Sequence, residues 1–344
     1  MMQRILVPLD GSTRAEYALP VAMRIARNTA GSIKLLRVVT TPIEAEPHAL
    51  GRLTEKTLEL DTKAATTYLD SLMGLYNWEG IEVEMKVLPG NAALTILDVA
   101  KEEHIDLIAM CSHGDTGFKR WFVGSVAQKV ARHSPVPVLI LRQESPLPLS
   151  SYPDRGRPLR TLMGLVALDG SALAEAALAP AASLVAALAA PARGTLLLTR
   201  VVPLPGDDNL RSHRVQSDPQ IQKRAFDDAK EYLKKVVDQL DHSPVADYDL
   251  TIAWSIARGV DVADTLIRVA EQGEGIEEGN CMLGSCNLLA LATHGRSGMP
   301  RLVMGSVAER LLGATRLPLL IVRPPTLIGV EPNTVALGLQ LEKQ

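Results

Sequence analysis

Aromatic side chains are nearly missing from this chain: three Phe, three Trp and six Tyr stand among 344 residues. Such a sequence offers no stacking platform for single-stranded nucleic acid, and its cores must be built from Ala, Val, Leu and Ile. Cysteine is scarce too. Three thiols in so long a chain exclude a disulfide framework. Cys281 and Cys286, with four residues between them, have no nearby His to complete a zinc site and read as loop thiols in a reducing compartment. Charge of one sign is also lacking. A formal net charge of −3 excludes the polybasic surface that neutralises nucleic-acid phosphates. Long hydrophobic runs reduce to one uncharged, Ala-rich stretch between Glu175 and Arg193. Pro180 and Pro191 interrupt it, and it falls short of the roughly 20 strongly apolar residues of a membrane span. It is expected to be a helix packed on a sheet, with no membrane partner. The opening MMQRILVPLDGS has no charged, apolar and cleavage regions in series, so a cytoplasmic chain without a secretory signal is expected.

What the chain does contain is a repeat. Residues 111–142, CSHGDTGFKRWFVGSVAQKVARHSPVPVLILR, align without a gap with 292–323, ATHGRSGMPRLVMGSVAERLLGATRLPLLIVR, and 12 of the 32 positions are identical. ILVPLDGS at 5–12 pairs with GLVALDGS at 164–171. The two alignments differ in offset, so the second copy carries insertions. One of them, 271–287, is a Gly-studded acidic segment that reads as an exposed loop. Residues 143–160 hold Pro146, Pro148, Pro153 and Pro158 and read as a linker. The expected organisation is a first domain over 1–142, the linker, a second domain over 161–323, and a tail over 324–344.

Within each copy, short apolar runs alternate with amphipathic stretches. In the first, strands are expected at 5–10, 32–39, 83–90, 106–111 and 136–141. Helices are expected over 13–28, capped by Ser12 and stopped by Gly31, then over 53–75, 92–103 and from Ser125. The second copy repeats the order, with strands near 163–168, 195–202, 249–256, 287–292 and 318–322. The mixed-charge run 221–240 reads as a solvated helix face. Strands joined by helices of this length imply right-handed βαβ crossovers and parallel pairing. The fold class is therefore α/β: two tandem, doubly wound, five-stranded parallel-sheet domains.

In such sheets ligands bind beyond the carboxyl ends of the strands, where the strand order switches. The residues common to both copies cluster there. Asp10 and Asp169 end the first strand. The turns Ser112-His113-Gly114 and Thr293-His294-Gly295 end the fourth. Gly124-Ser125 and Gly305-Ser306 open the fourth helix. A helix N-terminus presents free N–H groups and a partial positive charge, and Gly lets an anion approach the backbone. Ser125 and Ser306 are suited to cap the helix and to donate to a phosphate oxygen. An aspartate at the neighbouring strand end is placed to accept from ribose hydroxyls. The pattern is a polyphosphate cradle without lysine, and the chain has no GxxxxGKS/T loop.

These residues resemble the tandem universal stress proteins, over about 1–142 and 160–323. The family's ATP motif, Gly-x2-Gly-x9-Gly-Ser/Thr, is matched in spacing by Cys111 to Gly114 and Gly124-Ser125, and by Ala292 to Gly295 and Gly305-Ser306. Cys111 and Ala292 stand where the family has its first glycine. If that position needs positive φ, a Cβ there costs of order 1 kcal/mol, and on the motif alone the second copy is the better binder. The resemblance implies an adenine nucleotide α-hydrolase-like fold. It further implies adenine held near Pro8 and Val38, or Ala167 and Val201. Met110 and Leu291 would wall the base, and Val126 and Val307 follow the Gly-Ser pair. It also implies fifth strands that pair across a dimer interface, giving a pseudo-dimer of the two domains and a homodimer of chains.

Three readings follow: an ATP-binding stress sensor or switch, with or without Mg; a slow ATPase; and a nucleotide-free interaction module. No general base is identifiable near the motif, although His113, Lys119, His294 and Arg296 lie close in sequence, and phosphoryl transfer needs a cationic clamp and a metal-holding carboxylate. No catalytic or metal-ligating residue is assigned, and hydrolysis is expected to be slow at most.

Overall fold

The computed structural model describes residues 2–40, 51–112, 123–142, 162–204, 219–279, 284–295 and 304–324. His113, Gly114, Lys119, Arg296, Cys281, the linker 143–160 and the tail beyond Pro324 lie outside them. The chain forms two compact units, Met1–Glu144 and Ser145–Gln344.

In the first unit, β1 (Arg4–Leu9) is buried along five of its six residues, as a strand covered on both faces must be. A 3-10 turn at Ala15–Tyr17 leads into α1 (Ala18–Thr29). The helix runs one residue past the expected end at 28. Ala30 takes the left-handed cap at φ +50°, and the Gly31 N–H bonds back to the Ala26 carbonyl. Gly31 is needed for a second reason: a Cβ there would run into the Gln3 backbone. There follow β2 (Ser32–Val39), α2 (Gly51–Leu75), β3 (Glu82–Pro89), α3 (Ala92–Glu102), β4 (Leu107–Cys111), α4 (Ser125–His133) and β5 (Val138–Leu141). The five strands pair in parallel in the order β3-β2-β1-β4-β5. The direction of winding reverses between β1 and β4. With right-handed crossovers, that reversal puts helices on both faces.

The second unit repeats the pattern. Its elements are β6 (Met163–Leu168), α5 (Ala172–Glu175), α6 (Leu178–Ala189), β7 (Gly194–Pro203), α7 (Pro219–Asp241), β8 (Leu250–Gly259), α8 (Val262–Gln272), β9 (Ile276–Gly279), β10 (Leu288–Ala292), α9 (Ser306–Ala314) and β11 (Leu319–Val322). The order is β11-β10-β6-β7-β8-β9. Five strands are parallel, as expected. The sixth is a departure: the acidic insertion is not wholly loop, because Ile276–Gly279 pairs antiparallel on the outer edge of β8. Lys230 of α7 forms an ion pair with Glu278 there. The mixed-charge run is also more than a solvated face, since Ala229, Leu233, Val236 and Leu240 of α7 form a buried stripe at helical spacing.

Among the described residues, Ala172–Ala189 is the one helical stretch apolar enough to suit a bilayer, and 61% of it is buried within the unit. Its Leu184, Val185 and Leu188 are essentially inaccessible. Each such side chain contributes about 1.5–3 kcal/mol by leaving water. The stretch is a core helix, and its apolarity is the measure of how much sheet it covers.

Glycine packing divides the sheet from the helix surfaces. A Cβ at Gly164 in β6 would overlap the Val185 side chain, whereas at Gly74 and Gly313, both helical, it would meet nothing within 4 Å. Gly164→Ala is therefore expected to cost about 1–3 kcal/mol by overpacking, and Gly74→Ala and Gly313→Ala to add about 0.4–1 kcal/mol each. Shifts of the urea midpoint at constant slope check all three.

Candidate functional site

The site begins where two neighbouring strands part. β1 pairs with β4 only through Ile5↔Leu107 and Leu6↔Ile108, although both strands run on to Leu9 and Cys111. β6 pairs with β10 only as far as Val166↔Ala290. Pro8 is the second residue past the last paired one and Ala167 the first. Pro8 has no N–H to extend the ladder; Ala167 shows that the parting does not depend on proline. On the other flank the ladder runs further, to Leu9↔Arg37 and Leu168↔Arg200, and Val38 and Val201 lie one residue beyond. A crevice thus opens at the carboxyl ends of β1 and β4, and of β6 and β10, bordered by the residues the sequence singles out.

The aspartates that follow are held in one orientation. Asp10 Oδ1 accepts from the Ser12 N–H at 2.9 Å and from Ser12 Oγ at 2.6 Å, and Ser12 Oγ accepts from the Ala15 N–H at 3.2 Å. Asp169, Ser171 and Ala174 repeat the same three bonds at the same three distances. The intervening Gly11 and Gly170 take φ of +86° and +90°, which only glycine enters without strain. One carboxylate oxygen is thereby committed to the turn. The other, Asp169 Oδ2, lies against Gly295, where a Cβ would collide with it.

The long motif spacing is closed at its base. The Gly124 N–H donates to the Ser112 carbonyl at 2.6 Å, and the Gly305 N–H to the Thr293 carbonyl at 2.7 Å. The end of the fourth strand is thus tied to the start of the next helix across eleven intervening residues. Here the sequence reading needs correcting. Gly124 and Gly305 are the N-caps, with no side-chain cap bond, and Ser125 and Ser306 are the first helical residues, both exposed. The first helical bonds are Gln128 N–H to Gly124 and Glu309 N–H to Gly305. The N–H groups of residues 125–127 and 306–308 precede them and point out of the helix end. Val126 and Val307 are half-buried behind the serines.

The first motif position departs from expectation as well. Cys111 and Ala292 are the last residues of parallel strands, paired with Leu141 and Val322, and neither has positive φ. A Cβ there carries no backbone strain, so the preference for the second copy loses that basis. The Cys111 thiol turns to the Ala15 carbonyl at 3.7 Å, and burial pushes its pKa up to about 12, with Asp10 adding to the shift. Met110 and Leu291 are buried strand residues. His294 is 7% exposed, with Nδ1 3.1 Å from Thr293 Oγ1, which makes it a packed residue.

Sequence reading missed a second group of residues. Tyr68 Oη donates to Glu16 at 3.0 Å, and Tyr232 Oη to Glu175 at 2.9 Å. Arg37 and Arg200 stand over the glycines of the aspartate turns; a Cβ on Gly170 would be 3.2 Å from the Arg200 guanidinium carbon. Burial first, then the neighbouring Glu and Asp carboxylates, raise the pKa of both tyrosines, while the arginines act the other way. The signal was in the sequence, but at three offsets: 159 for Glu16/Glu175, 163 for Arg37/Arg200 and 164 for Tyr68/Tyr232. A cavity of about 230 Å³ lies elsewhere, at the amino ends of β1–β3, lined by Arg4, Lys34, Glu82, Glu84 and Glu103. Lys34 pairs there with Glu84 and Glu103. It lies at the opposite end of the sheet from the carboxyl ends of the strands, where open α/β sheets bind ligands, so it is not the candidate site.

Two outcomes follow from this geometry. Gly295→Ala should displace the Asp169 carboxylate and cost about 1–3 kcal/mol in urea denaturation. The Cys111 thiol should resist iodoacetamide at pH 8 in the folded protein and react at the free-thiol rate when unfolded. Because its folded pKa lies above the ordinary 9.0, its contribution is intact below pH 9 and is lost as pH rises toward 12. Cys111→Ala should therefore flatten the fall of stability over that alkaline window.

Comparison with known proteins agrees with this architecture. The model of the universal stress protein family matches residues 1–142 and 165–323. The universal stress protein YxiE of Bacillus subtilis is 29% identical over 152 residues, spanning all of that protein and 41% of this chain. Two solved structures share the fold across both units. One, a universal stress protein from Pseudomonas aeruginosa, is 20% identical, covers 95% of each chain and has a TM-score of 0.55. The other, from Archaeoglobus fulgidus, is 18% identical, covers 94% of this chain and 97% of its own, and has a TM-score of 0.53. With two family segments accounting for most of its length, the chain belongs to the universal stress protein family.

Proposed function

We propose that this is a cytoplasmic ATP-binding stress protein whose halves work as nucleotide-dependent sensors or switches. One observation carries the reading. In each half, a helix start is pinned to the end of the fourth strand beside an aspartate whose orientation is fixed, and the two halves repeat these bonds to within 0.1 Å. Unpaired amides at a helix start suit a phosphate chain. The carboxylate of Asp10 or Asp169, held in one orientation at the strand end, suits a sugar hydroxyl. Val38 and Met110, or Val201 and Leu291, would wall the base. The residues therefore fit an adenine nucleotide, and they do so without the lysine of a P-loop. ATP would bring Mg with its phosphates, and any hydrolysis would be slow.

Binding would favour whichever arrangement holds the nucleotide better, by mass action. The halves are not equivalent in this respect. The first turn of α9 carries Glu309, where α4 has Gln128. A carboxylate there competes with a bound anion for the positive helix end. The nucleotide-free module is the competing reading, and it is favoured by the Cys111 thiol lodged beside the Asp10 turn.

Mg-ATP at a hundred times its Kd should stabilise the binding unit by about 2.7 kcal/mol, moving its melting temperature up by about 5–11 °C. ATP or ADP should be released when the purified protein is denatured. No bound nucleotide and no thermal shift would establish the interaction module instead. Ser125→Ala with Ser306→Ala should weaken binding roughly three- to ten-fold by removing one hydroxyl donor per site. Glu309→Gln should tighten the second site roughly two- to five-fold, both measured by calorimetric titration.

A further inference from the structure

The two units differ at one edge of their sheets. Leu9 pairs with Arg37 and Arg37 with Val87, while Leu168 pairs with Arg200 and Arg200 with Ile256. β3 and β8 are therefore counterparts, with Val87 standing where Ile256 stands. In the second unit the inserted β9 pairs along Ser255, Ile256 and Ala257, and all three are fully buried. In the first unit only residues 103–106 join α3 to β4, and β3 ends its strand order. Among the described residues nothing pairs with its outer edge. Met85 is 39% exposed there, whereas its counterpart Trp254 is buried. Met73 of α2, the helix packed on β3, is exposed as well. It lies two helical turns from Thr66, the counterpart of the Lys230 that reaches β9. The second unit thus closes with its own insertion an edge that the first leaves open.

The open edge has the phase and the charges to pair with itself. The Gly90 N–H bonds to the Val39 carbonyl, so the even-numbered residues of β3 turn their amides to β2, and Val83, Met85 and Val87 turn theirs outward. We propose that the outer edge of β3 is an interaction surface for a second copy of this chain, the two β3 strands pairing antiparallel about a two-fold axis at Met85. Met85 then exchanges both backbone bonds with the partner's Met85, and Val83 with the partner's Val87. Glu84 falls opposite the partner's Lys86 at a non-hydrogen-bonded position, where side chains lie closest. Glu84 pairs within its own unit with Lys34 at 2.7 Å but its side chain stays 64% exposed, and Lys86, held by Glu103 at 2.6 Å, is also partly open. Other registers fail. An axis at Glu84 or Lys86 sets like charges face to face, an axis at Val83 sets Glu82 against the partner's Glu84, and an axis at Val87 sets Pro89, which has no N–H, against the partner's Met85. Charges on an edge strand ordinarily guard it against pairing; here they select one register. The ladder also ends cleanly, because the Ile81 N–H is taken by the Trp78 carbonyl and Pro89 has none to offer. An isologous contact of this kind closes at two chains. It uses a different strand from the fifth strands that the family resemblance implies, and it is independent of the nucleotide reading.

The test is sedimentation equilibrium of the full chain. Wild type should show a monomer–dimer equilibrium in the micromolar range, as a small interface gives. Glu84→Lys makes the paired positions both positive and Lys86→Glu makes them both negative, so each variant alone should dimerise roughly ten-fold more weakly or worse. An equimolar mixture of the two restores opposite charges across the axis and should recover to within about three-fold of wild type. Misfolding cannot mimic that rescue. Met85→Pro removes an N–H that the unit itself does not use and should abolish the dimer with the urea midpoint held. In this register the two copies of residue 85 lie about 5.5 Å apart between Cα atoms, within disulfide reach. Met85→Cys should therefore give a reducible dimer linked at that position on mild oxidation, whereas Leu94→Cys, exposed on α3, should not. A wild type that stays monomeric overturns the proposal. So does a dimer that survives every variant, which would use another surface, or a mixture that fails to dimerise. A monomer whose amides at 83, 85 and 87 resist hydrogen exchange would place a segment of the same chain on the edge, and likewise overturns the second copy as its occupant.

Discussion

The hydrogen bond from the Gly124 or Gly305 N–H to the carbonyl of Ser112 or Thr293 is the contact on which the rest of the site depends. It joins residues twelve apart in sequence and sets a helix start next to a strand end. The parting of β1 from β4, and of β6 from β10, then leaves room beside it. Neither feature suffices alone. A closed ladder would fill the crevice with backbone, and an untethered helix would aim its amides elsewhere. Together they set a helix start beside the point where the first and fourth strands part, close to the aspartate turn, and the chain does this twice.

The economy of the chain explains much of its composition. With so few aromatic rings, the cores rely on many small and branched aliphatic side chains, and glycine appears where even a methyl group has no room. Gly164 meets Val185 and Gly31 meets the Gln3 backbone. The aromatic rings that are present are used sparingly. Tyr68 and Tyr232 donate to Glu16 and Glu175, and Phe226 lies under Arg258, 4.6 Å from guanidinium carbon to ring centroid.

The tandem α/β architecture, its strands and its helix-opening Gly-Ser pairs were legible because each rests on local chemistry: apolar runs of strand length, helical periodicity, and a gapless repeat. What escaped was of two kinds. Ile276–Gly279 alternates too briefly, inside too much glycine and acid, to show that an edge strand forms there; only the exposed edge of β8 reveals it. The Arg–Tyr–Glu group escaped because its members sit on three separate elements whose spacing differs between halves, so no single alignment brings them into register. Ser125 and Ser306 were misplaced by one residue, since a serine beside a glycine invites the capping role that the glycine itself fills.

Cys111 and Ala292 bear on how such chains are recognised. Their backbone is ordinary extended strand, so the position tolerates side chains of different size. The backbone geometry of this chain therefore makes no demand for glycine there. A pattern search that insists on it would pass over both halves of this chain, while one keyed to the tethered Gly-Ser step and the Asp-Gly-Ser turn would retrieve them.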